Sequence, residues 1–166
     1  MQEDQGTKRY HKVNNSYPLL PIVRIEAVIQ GHELMPEQVA SVITLPGCRE
    51  IWDERLGCVE IRATYHVQEY LFWRRCLANF PHGRAKYYPR DMASIALREV
   101  SNTELFVVMT SVVDGAIPNE IHNVHAHLDL SGWRIIRMKT GICIVYITQI
   151  DLNGHLPKTW LDYTAG

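Results

Sequence analysis

The chain has 166 residues, with 17 Lys and Arg against 18 Asp and Glu and a formal net charge of -1. That length suits one domain with a core and a modest cavity, and the even charge balance excludes a global field that would draw in nucleic acid or an anionic membrane. Cys48, Cys58, Cys76 and Cys143 are dispersed, with no C-x-x-C pair and no leader-like opening, so neither a disulfide frame nor a zinc ribbon is expected, and a reduced, cytoplasmic setting is.

Residues 1–16 are polar, mix Lys8, Arg9 and Lys12 with Glu3 and Asp4, and lack an apolar period; they read as a mobile tail before a domain over 17–166. From Pro21 to Ile29, Ile22, Arg24 and Glu26 alternate with Val23, Ile25 and Ala27, the period of a half-buried strand. Pro36 then opens a short helix to Thr44, with Val39, Val42 and Ile43 on one face. Leu45-Pro46-Gly47 breaks it. A second short helix from Cys48 to Glu54 is expected to turn Ile51 and Trp52 inward and to pair Arg49 with Asp53 on its exposed side.

Beyond Cys58 the pattern is β. Val59, Ile61, Ala63 and Tyr65 alternate with charged and polar residues, and Glu69 to Leu77 follows as a hairpin partner. A loop from Asn79 to Tyr88 leads to Pro89-Arg90-Asp91-Met92 and a central hairpin, Ala93 to Val100 and Glu104 to Val113, turned at Ser101-Asn102. Asn123 to Ala126 is a short strand, Leu128 to Gly132 an interruption, Trp133 to Met138 a strand, and Ile142 to Leu152 the most apolar strand. The run 141–150 is far shorter than the roughly 20 residues of a membrane-spanning helix. Pro157 opens a final helix to Tyr163.

This order predicts an α+β fold, with short helices packed on a curved antiparallel sheet. Ile142, Ile144 and Tyr146 oppose Cys143, Val145 and Ile147, so the last strand is apolar on both faces and needs a second layer or an apolar ligand. His122, His125 and His127 form the one dense set of imidazoles; with no motif elsewhere to complete a ligand set, they read as solvated or structural, and neither metal nor cofactor is expected. No nucleophile elbow, Walker loop or dinucleotide fingerprint is present. Arg90-Asp91 reads as an ion pair capping a strand, fixed by local hydrogen bonds; Arg74, Arg98 and Arg137 are candidates for inward charges at the sheet, with surface placement the expected one.

Three motifs carry a resemblance: Arg49-Glu50-Ile51-Trp52-Asp53, Pro89-Arg90-Asp91-Met92, and Asp151-Leu152-Asn153-Gly154-His155-Leu156-Pro157. Their order and separation resemble START domains, the steroidogenic-acute-regulatory-related lipid-transfer family. The resemblance implies a helix-grip fold: a curved antiparallel sheet around a C-terminal helix, here shortened, with a tunnel for one lipid such as a sterol or phospholipid. It further implies Trp52, Arg90 and Asp91 as structural residues and Met109, Ile144 and Tyr146 as tunnel lining. Leu128, Leu130 and Trp133 become a gate whose apolar tips touch a membrane transiently. The inward arginine of sterol-binding members falls at Ala96, which weakens a sterol reading. A short last helix would favour self-association. Such a module is no enzyme and acts in the cytoplasm or peripherally on membranes. The other readings are a helix-grip enzyme using His125 or Tyr146 for acid–base work, and a ligand-free interaction module.

Overall fold

The computed structural model describes residues 7–14, 17–31, 33–53, 56–66, 69–76, 89–115, 117 and 121–154. The alternation around Val23 to Ala27 builds strand β2, Tyr17–Gln30. Strand β1, Thr7–Asn14, pairs antiparallel with it, Thr7 opposite Ala27 and Lys12 opposite Ile22. The tail expected over residues 1–16 is therefore corrected: its described part is an edge strand. A strand whose faces are mostly solvated needs no apolar period, and Lys8, Arg9 and Lys12 suit an exposed edge. Tyr10 fixes the pairing from the side, its ring 5.3 Å from the Arg24 guanidinium.

Helix α1 runs over Pro36–Thr44. Pro36 lies in its first turn, and the Gln38 Oε1 accepts the Met35 N–H at 2.9 Å, satisfying one backbone donor of the opening turn. Ala40 and Ile43 are its buried face. Gly47, at φ +83°, makes the left-handed corner into α2, Cys48–Trp52. This helix is too short to bury a face. Ile51 is 85% exposed and Trp52 47% exposed, against the expectation that both turn inward.

The strands β3 (Leu56–His66), β4 (Glu69–Cys76), β5 (Arg90–Val100), β6 (Glu104–Ser111), β8 (His127–Arg137) and β9 (Gly141–Asp151) join the first two in one antiparallel sheet, ordered β1-β2-β9-β8-β6-β5-β4-β3. The two-residue β7, Val124–His125, lies parallel to the start of β5. Both predicted hairpins form, β3–β4 and β5–β6. Strand β9 can approach β2 only because residue 141 is glycine: a Cβ there would lie 2.0 Å from the Ile29 carbonyl oxygen.

The expected interruption at 128–132 is continuous strand with a bulge at Asp129. The reason lies on β6. The Ser111 hydroxyl accepts the Leu128 N–H at 2.8 Å, and the Thr110 hydroxyl donates to the Asp129 carbonyl at 3.0 Å. Backbone groups that a bulge would leave open are satisfied from a neighbouring strand, which no local pattern reveals.

Residues opposite one another across the ladders share a face. One such row is Arg98, Val107, Trp133, Tyr146 and Ile25; the next includes Tyr70, Ala96, Met109 and Ser131. Leu105, Val107, Met109, Ile135 and Ile142 are the buried part of this face, and α1 packs on it through Ala40 and Ile43. The core is thus a helix–sheet contact at one part of a broad sheet.

Candidate functional site

A cavity of about 110 Å³ lies where the α1–α2 corner meets the inner face of β3, β4, β5 and β6. Ile43, Thr44, Leu45 and Arg49 form the helical wall. Val59 and Ile61 of β3 and Tyr70 of β4 form a second, and Ala96, Arg98, Val107 and Met109 of the central hairpin form the floor. The surface is mainly apolar, and Leu45 and Ile61 remain partly in solvent at its edge.

Two guanidinium groups reach this cavity, and their surroundings differ. Arg49 donates from Nε and Nη2 to Asp53 Oδ2 at 3.2 and 3.1 Å. The predicted i,i+4 pair is real, but it is largely buried instead of lying on an exposed side. Arg49 also stacks 5.6 Å from the Trp52 ring, whose Nε1 donates to the Val42 carbonyl at 3.1 Å. The R-x-x-W-D motif therefore ties the corner together: Trp52 holds α2 to α1 from the outside while Arg49 closes the cavity wall. Arg98 has a buried Nε with no acceptor, and it forms no ion pair among the described residues. Its expected surface placement is corrected. Period-2 alternation from the buried Ala96 puts residue 98 on the same inner face, the signal by which the sequence could have found it.

The other predicted site residues are dispersed. Met109 lies in the cavity floor. Tyr146 and Trp133 sit farther along the same face, stacked at 4.1 Å between ring centroids, with the Ser131 hydroxyl donating to the Tyr146 oxygen at 3.3 Å. Ile144 is opposite Ile135 on that face, one row beyond. Leu128, expected at a loop tip, is 2% exposed inside β8, and only Leu130 of the pair is exposed. The loop 79–88 and the helix 157–163 lie outside the described residues.

The P-R-D and D-x-x-G motifs meet in space. Arg90 donates to the carbonyls of Leu152 and Asn153, each at 3.3 Å. The Asn153 N–H in turn bonds Asp151 Oδ1 at 2.8 Å, and Asn153 adopts a left-handed φ of 50°. Asp91 points to the opposite face, where its Oδ2 accepts from Asn123 Nδ2 at 3.2 Å and its Oδ1 faces His125 Nδ1 at 2.5 Å. The expected local ion pair is corrected: neighbouring residues of a strand point apart, and both side chains hold segments distant in sequence. His125 is exposed beyond Asp91, on the face away from the cavity, so it stands apart from Tyr146. Among the described residues, no three His, Cys, Asp or Glu side chains cluster as metal ligands would. No described helix is long and apolar enough to cross a membrane.

No protein-family model matches this sequence, and no curated protein does. Solved structures do. The human StAR-related lipid transfer protein 5 superposes with a TM-score of 0.83 at 20% identity, covering 98% of this chain and 76% of its own. Human STARD10 gives 0.82 at 16% identity over 99% of this chain, which spans only 65% of that one. A STAR-related lipid transfer protein fragment from Xanthomonas axonopodis gives 0.77 at 16% identity, covering 99% and 87%. These likenesses establish the fold: the chain has the START-type helix-grip architecture that its three motifs predict.

Proposed function

We propose that this chain is a non-enzymatic lipid-binding module that takes up the apolar part of one lipid between the α1–α2 corner and the inner sheet face. The supporting observation is the cavity itself, apolar on three sides, in a fold shared with proteins named for lipid transfer. Desolvation drives the binding, at about 0.8 kcal/mol for each CH₂ taken from water. Its volume of about 110 Å³ is small beside the roughly 300–1,000 Å³ of common ligand sites. The cavity as it stands suits the apolar end of a ligand, and a whole sterol or phospholipid would extend beyond it.

The exchange route lies at the same corner. Leu128 is tied into β8 and cannot reach a bilayer, whereas Val42, Leu45, Ile51 and Trp52 expose apolar surface on the corner beside the cavity. We assign transient membrane contact to this corner, in place of a gate at 128–133. Burying a few such side chains supplies a few kcal/mol, enough for brief docking. The module would act in the cytoplasm or at a membrane face.

Organic extracts of the protein after incubation with mixed lipid vesicles, analysed by mass spectrometry, should contain about one lipid per chain; an empty extract would sink the proposal. Ile51→Asp should slow transfer between vesicles severalfold while leaving the bound lipid unchanged. Turnover of lipid esters by the purified chain would favour the enzyme reading instead.

A further inference from the structure

The polar groups facing the cavity are unbalanced. Of its two guanidinium groups, Arg49 is neutralised by Asp53, and the described lining residues include no carboxylate for the other. Arg98 stands on the floor beside Ala96 and Val107, both nearly inaccessible, with its Nε buried and unbonded. Directly along its cross-strand row, past Val107, the buried Trp133 Nε1 is a second donor without an acceptor. Among the described residues these two buried donors of the inner face have no acceptor. Buried donors are almost always satisfied in a folded protein, and a charged one especially so. An anionic oxygen carried on something apolar would satisfy the Arg98 donor and suit the walls around it.

We propose that the ligand is an amphiphile whose head group is an oxyanion, a carboxylate or a phosphate, bonded by the Arg98 guanidinium while the apolar walls take the adjoining chain. This rests on the lipid-binding reading and adds the chemical class of the ligand. A guanidinium binds such heads through paired N–H donors, and the low-polarity walls strengthen the contact. A neutral lipid of the same length gains the apolar term and at most a weaker, singly charged hydrogen bond, so the site discriminates by charge.

The test is a binding series on the full chain, by calorimetry or native mass spectrometry, with oleate, oleoyl lysophosphatidate, oleyl alcohol and inorganic phosphate. The two anionic amphiphiles should bind at least about tenfold more tightly than the alcohol. Arg98→Met should abolish that preference, and Arg98→Lys should keep part of it. The thermal melt of Arg98→Met should match the parent, since no partner is orphaned; if Met is not tolerated, Arg98→Gln makes the same test. Equal binding of oleate and oleyl alcohol by the parent, or a preference that survives in Arg98→Met, overturns the inference while the lipid-binding proposal stands. Inorganic phosphate binding as tightly as the amphiphiles also overturns it, since the site would then be one for free anions. If none of the chains binds, the alcohol included, the lipid-binding proposal falls too.

Discussion

Strand β5 begins with one buried arginine and carries a second eight residues later on the same face, and the fold treats them in opposite ways. Arg90, 6% exposed, is surrounded by acceptors: the end of β9 turns its Leu152 and Asn153 carbonyls toward the guanidinium. Beside it Asp91, fully buried, holds Asn123 and His125 and so fastens β7 to the sheet. Arg98 lies in a mainly apolar lining, and its Nε has no acceptor among the described residues. A guanidinium on which strand ends converge maintains the frame. One that faces a cavity with no described counter-charge is the one we propose for a ligand.

The contrast can be broken most directly at Asp91. Asp91→Ala removes a buried carboxylate and leaves its donors without a partner, which should cost about 3–5 kcal/mol in urea denaturation. Arg90→Met should cost somewhat less, about 2–3 kcal/mol, because it unties two carbonyls that water can partly reach. Arg98→Met should lose nothing comparable. If it destabilised the chain as much as Arg90→Met, both arginines would be structural and the distinction would disappear. The smallest effect is expected at the exposed sheet surface, where the Arg134 guanidinium hydrogen-bonds Glu104 at 2.7 Å and holds its carboxyl below the usual carboxylate range. A depressed folded-state value means that this contribution is complete above the ordinary pKa of about 4.3 and is lost as pH falls through the lower folded one. The small lead in melting temperature of the parent over Glu104→Gln at pH 7 should therefore vanish in strong acid.

Much of this architecture was legible because it is local. Helix α1 begins at a proline and stops before Leu-Pro-Gly; β2, β5 and β9 follow a period of two; the three motifs pointed to the fold. The cavity was only half legible. Met109 was named for it, while Arg98 was assigned to the surface because charged residues usually are exposed, although its register with Ala96 already placed it inside. Leu128 to Gly132 differs for another reason: Leu-Asp-Leu-Ser-Gly has the composition of a loop, and pairing with β9 and β6, with the Thr110 and Ser111 hydroxyls at its bulge, makes it strand.

By itself, then, the sequence determined the elements and their order, since hydrophobic period, proline and glycine act within a few residues. For the two arginines of β5, tertiary structure alone decided which is satisfied. Arg90 and Arg98 are the same side chain on the same strand, and a partner can come from a segment 63 positions away, as between Arg90 and Asn153. Hydrogen bonds and ion pairs depend on distances of a few ångströms, which local sequence does not encode; they exist only once the sheet has closed its register.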